Sequence, residues 1–144
     1  VMKRIYLARY KIIQTQYGWH FVLQSPNHRV VGVSEVYETE QGAQQGIVAV
    51  RLLSQDKDNF RRLESKAANP QHYFNLVANN GEIVLTSEMY STFPMMKKGI
   101  ESVMLHGQTE EVIVKRLKRK FTFSKDGKEK HRAAYLKNIA NRKK

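Results

Sequence analysis

Apolar and polar positions follow one order of patterns near the start of the chain, and that order returns 53 residues later. Tyr10-Lys11-Ile12-Ile13-Gln14 is a short run rich in β-branched residues, and Gln16-Tyr17-Gly18 is a turn signal after it. Trp19 to Gln24 alternates, with Phe21 and Leu23 on one face, which predicts a strand. Ser25-Pro26-Asn27-His28 breaks that run, and Val30 to Tyr37 resumes as a third strand, so the three read as an antiparallel meander. The period then changes from two to that of a helix. From about Glu40 to Leu53, Ala43, Ile47, Val50 and Leu53 fall near one face, and Thr39 sits where a hydroxyl can accept from a free first-turn amide. Gly46 lies inside this helix, where it costs about 1 kcal/mol relative to alanine. The first unit is β-β-β-α.

Residues 54–59 are polar and connect to a second unit of the same order. Phe60-Arg61-Arg62-Leu63-Glu64 opens it, Ala67-Ala68-Asn69-Pro70 turns, and His72 to Val77 is the counterpart of the Trp19 strand. Asn79-Asn80-Gly81 is a hairpin signal of the kind that supplies positive φ angles to a tight primed turn. Ile83 to Tyr90 is the third strand, and Thr92 caps a helix with Pro94 in its first turn. Met96, Ile100 and Val103 make its buried stripe, and Gly107 closes it. Laid without a gap, His20–Val50 and Tyr73–Val103 share eleven of 31 positions, where roughly two would be expected by chance. The chain carries an internal duplication. A glycine at the same point of both helices, Gly46 and Gly99, predicts close approach to the sheet there.

Asn75-Leu76-Val77-Ala78-Asn79-Asn80-Gly81-Glu82-Ile83-Val84, Ser87-Glu88-Met89-Tyr90 and Gly99-Ile100-Glu101-Ser102-Val103 resemble the signature of the YegP-like family, small and mostly bacterial proteins of uncharacterised function. The first copy keeps Ser34-Glu35-Val36-Tyr37 and Gly46-Ile47-Val48-Ala49-Val50-Arg51. It departs at His28-Arg29, where the family tends to have Gly-Glu, and Met104 stands where a basic residue is usual. The resemblance covers about residues 10–107. It implies an α+β fold, two tandem β-β-β-α repeats forming an antiparallel sheet with helices packed on it. It implies no activity, cofactor or catalytic residue.

Three segments follow from this: a first repeat over 1–56, a second over 57–108, and a basic C-terminal extension over 109–144. In the extension, Val112-Ile113-Val114 favours a strand, although Thr109 could instead cap a helix. Phe121-Thr122-Phe123 alternates, Asp126-Gly127 turns, and Lys128 to about Asn141 is helical in pattern, with Tyr135, Leu136 and Ile139 on one side.

Composition changes the picture mainly through charge. The formal net charge is +12. Residues 1–108 hold twelve Lys/Arg against nine Asp/Glu, whereas residues 109–144 hold thirteen against four, a net of +9. Such a segment attracts phosphate polyanions or anionic surfaces. The chain has no cysteine, which excludes disulfides and thiolate metal sites and suits a reducing cytoplasm. Lys3 and Arg4 have no apolar stretch after them of the kind a signal peptide needs. No run of about 18 apolar residues is present, so no membrane span is expected.

Candidate chemistry is sparse. Ser34/Glu35 and Ser87/Glu88 invite a nucleophile reading, but adjacent strand residues point to opposite faces and cannot form the required contact. The plainer reading is that they manage strand ends. The histidines at 20, 28, 72, 106 and 131 are dispersed, without the three or four convergent ligands of a zinc site. No glycine-rich phosphate loop is present, so neither enzyme activity nor a cofactor is expected. Trp19, Tyr37, Tyr73 and Tyr90 could stack on single-stranded bases, or close the two cores.

The basic extension carries the functional expectation. Lys115, Arg116, Lys118, Arg119 and Lys120 form a dense cluster beside Phe121 and Phe123, and Lys125, Lys128, Lys130, Arg132, Lys137 and Arg142 follow. Cations in this density neutralise phosphates and release condensed counterions. The expectation is a non-catalytic cytoplasmic protein that binds DNA or RNA by backbone contacts, with the repeats as scaffold. The alternative is a protein-interaction module, in which edge strands pair or the chain dimerises and the tail meets an acidic partner.

Overall fold

Alternation in the first repeat gives β1 (Arg9–Thr15), β2 (Gly18–Gln24) and β3 (Val30–Val33), and the 3.6-residue period that follows gives α1 (Glu40–Leu53). The second repeat does the same with β4 (Phe60–Glu64), β5 (His72–Val77), β6 (Ile83–Thr86) and α2 (Phe93–His106), and β7 (Val112–Lys115) comes last. These elements belong to a computed structural model that describes residues 7–118. The strands form one sheet in the order β4-β5-β6-β3-β2-β1-β7.

The duplication explains the middle of that order. β3 and β6 pair antiparallel with Val33 opposite Thr86, and these two residues occupy equivalent positions in the repeats. The two units therefore meet about a local two-fold axis, each offering the same strand to the other. At the axis two large side chains would collide: a side chain at Gly32 would run into Leu85, its own repeat equivalent.

Both helices pack on one face of the sheet. Phe21, Leu23, Phe74, Leu76 and Leu85 rise from the strands against Ala43, Ile47, Val50, Met96, Ile100 and Val103 from the helices, all in one buried cluster. Burying each of the larger side chains contributes about 1.5–3 kcal/mol. The helices begin as their sequences predict: Thr39 Oγ1 accepts from Gly42 N at 2.9 Å, and Thr92 Oγ1 accepts from Met95 N at 3.3 Å.

Three features differ from the sequence reading. The third strand of each repeat is shorter, because Ser34 and Ser87 replace a ladder carbonyl with a side chain. Ser34 Oγ accepts from Phe21 N at 2.8 Å and donates to Glu35 O at 2.7 Å, and Ser87 Oγ does the same with Phe74 N and Glu88 O at 2.9 and 2.8 Å. The chain turns there, and pairing resumes only as single bridges, Trp19 with Tyr37 and His72 with Tyr90. These hydroxyls are engaged on both sides by the backbone.

The hairpin at Asn79-Asn80-Gly81 is not a two-residue primed turn. Gly81 N donates to Ala78 O at 2.9 Å and Ala78 N donates to Glu82 O at 2.8 Å, with positive φ only at Gly81. It is a three-residue loop, a turn followed by one left-handed residue. The first repeat builds the same loop with His28, at φ 67°, in the place of Gly81.

The third difference is β7. The start of the expected extension enters the sheet, pairing parallel with β1 from Tyr10/Val112 to Ile13/Lys115. The α2–β7 connection is stitched to the first repeat: Tyr10 Oη donates to Gly107 O at 2.6 Å, Arg51 Nε to Thr109 O at 3.1 Å, and Thr109 Oγ1 to Ala8 O at 2.7 Å. The apolar alternation of Val112 and Val114 packs on the core and makes the strand favourable there. β7 also covers the outer edge of β1. The other edge, β4, carries exposed Arg61, Arg62 and Glu64, charges that discourage strand addition.

Candidate nucleic-acid interface

The face of the sheet opposite the helices is set by register. Because Tyr10 and Ile12 point to the core, Arg9, Lys11 and Ile13 point away, and pairing places Ile113 and Lys115 beside Lys11 and Ile13 on that same side. One row crosses the sheet: Arg61, Asn75, Thr86, Val33, Val22, Lys11 and Ile113. In its middle, Asn75 Oδ1 and Thr86 Oγ1 are buried without a hydrogen-bond partner among the described residues. At its β1–β7 end the row carries Lys11, with Arg9 and Lys115 in the neighbouring register positions of the same two strands.

Lys11 is the centre of that end. Burial lowers the pKa of its ammonium, and the neighbouring Lys115 and Arg9 charges lower it further. Arg9 itself donates to Gln24 Oε1 at 2.9 Å and lies 3.3 Å from His28 Nδ1. The carboxylates that approach a basic side chain among the described residues are Glu64, 3.7 Å from His72 Nδ1, and Glu40, 2.8 Å from the Arg116 guanidinium. Arg9, Lys11 and Lys115 are thus three cations along two adjacent strands with no carboxylate bound to them among the described residues.

The expected site residues divide accordingly. Lys115 lies on β7 facing Lys11's side of the sheet, and Lys118 is exposed beyond the strand. Arg116 goes the other way: its guanidinium reaches Glu40, in the first turn of α1, at 2.8 Å. That pair removes Arg116 from the Lys115 cluster. Arg119, Lys120, Lys125, Lys128, Lys130, Arg132, Lys137 and Arg142 lie outside the described residues. Arg9 and Lys11 are additions that the charge run after residue 109 does not suggest. Alternation in Arg9-Tyr10-Lys11-Ile12 puts both on one face, but only the β1–β7 pairing brings Lys115 to them.

The aromatic residues that could have stacked on bases are used in packing. Tyr37 stacks on Phe21 at 6.2 Å and Tyr90 on Phe74 at 6.4 Å. Their rings lie over Gly46 and Gly99, where any side chain would run into the phenol. The repeated glycine therefore makes room for a tyrosine between helix and sheet. Tyr73 is buried, and Trp19 packs against the core. Among the described residues no group of three His, Asp or Glu could hold a metal ion, and no helix is long and apolar enough to cross a membrane.

Comparison with known proteins places this architecture. A domain of unknown function, DUF1508, matches residues 16–60 and again 67–113, so the second match runs into β7. A UPF0339 protein of Acinetobacter baylyi is 38% identical over 104 residues, covering 72% of this chain and 92% of its own. The UPF0339 protein YegP of Escherichia coli is 34% identical over 94 residues, covering 65% of this chain and 84% of its own. The solution structure of the Escherichia coli protein, described as of unknown function, superposes with a TM-score of 0.68 at 29% identity, covering 78% of this chain and 96% of that one. That of a UPF0339 protein from Shewanella oneidensis gives 0.69 at 33% identity, covering 74% and 90%. The two matches within one chain, the relatives in these bacteria and the shared α+β fold agree, and the chain belongs to the DUF1508, YegP-like family, with the domain in duplicate.

Proposed function

We propose that this protein binds nucleic acid, without catalysis, through phosphate contacts made by the β1–β7 edge and the basic sequence that continues from it. The observation that carries the reading is the placement of Lys11 beside Lys115. Two ammonium groups and the Arg9 guanidinium repel one another at this edge, and no carboxylate bound among the described residues relieves them. A phosphate backbone laid along β7 would relieve that repulsion and release counterions. The sequence after Lys118 adds ten further Lys or Arg residues, beginning with Arg119 and Lys120. Such contacts position a polyanion and read little sequence.

The test is a salt titration of binding to single-stranded and double-stranded DNA and RNA. Lys11→Gln/Lys115→Gln should weaken binding to all of them alike. It should also reduce the slope of log K against log salt by about 1–2, close to one unit for each phosphate that the protein no longer neutralises. A chain ending after Lys118 should show a larger fall in slope while keeping β7 and the fold. Cutting before Val112 would instead strip β1 of its neighbour and confound stability with binding. Full-length protein that ignores both nucleic acids at low salt would refute the reading.

A further inference from the structure

The local two-fold axis also sets what surrounds each tyrosine. β3 runs antiparallel to β6, so the turn before β3 lies beside the end of β6, and each repeat's turn reaches the other repeat's tyrosine. Arg29 bears electrostatically on Tyr90, opposing the larger effect of Glu88 from Tyr90's own repeat, and Glu82 bears on Tyr37. Where the first repeat's turn meets the second repeat's helix there is a groove of about 790 Å³. That volume is in the range of small-molecule sites, which run from about 300 to 1,000 Å³.

Val31, Met89 and Met95 give the groove an apolar lining, while Arg29 and Lys98 bring positive charge and Glu88 a carboxylate. Neither Arg29 nor Lys98 is in an ion pair among the described residues. The first repeat serves as an internal control for these charges. At the positions equivalent to Arg29 and Lys98 the other half of the molecule has Glu82 and Gln45, and at those equivalent to Ser102 and His106 it has Ala49 and Leu53. The scaffold around Tyr37 forms without either cation, so Arg29 and Lys98 are not required to build it.

We propose that this groove binds a small amphiphilic carboxylate, its apolar body on Val31, Met89 and Met95 and its acid group between Arg29 and Lys98. Arginine's planar fork suits a carboxylate's two oxygens, and the lysine adds a point charge. Glu88, which also lines the groove, disfavours a polyanion, and this separates the site from the β1–β7 edge. The proposal does not rest on nucleic-acid binding.

Methionine methyl resonances of the full chain provide the test, because Met89 and Met95 line the groove whereas Met96 is buried in the core. Phenylacetate is the probe, phenylacetamide its neutral match and inorganic phosphate the bare anion. The Met89 and Met95 signals should shift saturably with phenylacetate, with Met96 unmoved. The amide should bind at least about fivefold more weakly, as expected when a charge-assisted hydrogen bond is missing. Arg29→Glu/Lys98→Gln, which installs the residues of the other half, should weaken phenylacetate about tenfold or more. Lys98→Gln alone, an exposed helical change, gives the same direction if the double variant is unstable. No saturable shift up to about 10 mM, the weak limit of a specific small-molecule site, would overturn the proposal. So would equal binding of acid and amide, phosphate binding as tightly as phenylacetate, or unchanged affinity in both variants.

Discussion

In the first repeat Tyr37 lies over Gly46 with Glu82 from the second repeat acting on it, and in the second Tyr90 lies over Gly99 with Arg29 from the first. The inner geometry of the two halves is nearly the same: the tyrosines stack on Phe21 and Phe74 with interplanar angles of 11° and 9°. The outer chemistry is opposite in sign at the turn. Residues that touch across helix and sheet are held alike by close packing, since a change of one methylene group is felt there. Residues on the rim are not so constrained. A duplicated domain can therefore keep one scaffold and place different charges on two equivalent edges of it.

The severest way to break this equivalence is at the glycines. Gly46→Leu and Gly99→Leu each force a side chain into the tyrosine ring and should cost more than about 3 kcal/mol, beyond ordinary overpacking. Removing the ring sharpens the comparison. At Gly99 the nearest atoms all belong to Tyr90, so Gly99→Leu/Tyr90→Ala should recover much of the loss. At Gly46 the Phe21 ring also stands within 2.8 Å of an added Cβ, so Gly46→Leu/Tyr37→Ala should recover less. Urea unfolding of these variants and of the two tyrosine single variants gives the two coupling energies, and equal rescue in both halves would contradict the packing described.

These packing relations show how far the sequence could be read. The duplication, the order of elements, both Thr caps and the stripes Ala43-Ile47-Val50 and Met96-Ile100-Val103 were legible, because period and repeat spacing report which face is buried. The Gly46 and Gly99 positions were legible as close approaches, but what approaches was not. Tyr37 and Tyr90 lie nine residues before them, and only the strand break at Ser34 and Ser87 swings those rings under the helices. The Lys11–Lys115 edge was hidden for a different reason. It depends on a parallel pairing between residues about 100 apart, and neither strand's own pattern names its partner. The Arg116–Glu40 pair was hidden in the same way, since a charge run reads as one cluster until its alternate residues leave in opposite directions.

A milder test compares the two serines. Ser34→Ala leaves Phe21 N, and Ser87→Ala leaves Phe74 N, without the hydroxyl that accepts from it. A buried donor left unmet costs about 1–3 kcal/mol. Ser34 is 1% exposed and Ser87 8%, so water can reach the second site sooner and its variant should be the less destabilised. Amide exchange at Phe21 and Phe74, read beside urea midpoints, distinguishes removal of a local bond from general loosening. If exchange at these two amides does not quicken, the hydroxyls are not what holds the strand ends.

The smallest effect is expected at the left-handed position of the turns, where one half has histidine and the other glycine. His28 and Gly81 hold the same left-handed position, at φ 67° and 86°. A residue with a Cβ pays about 1–2 kcal/mol there, whereas glycine loses more chain freedom on folding, by about 0.5–1 kcal/mol. His28→Gly also removes the 3.3 Å approach of His28 Nδ1 to Arg9. The balance is a stabilisation of a few tenths of a kcal/mol. Gly81→Ala should run the other way by about 1 kcal/mol, and purely through the backbone, because an added Cβ there meets nothing within 4 Å. Opposite signs in thermal unfolding would show that the first turn tolerates its histidine against the geometry that the second turn satisfies with glycine. Equal signs would mean that the interactions of the His28 ring, not its backbone, decide the cost.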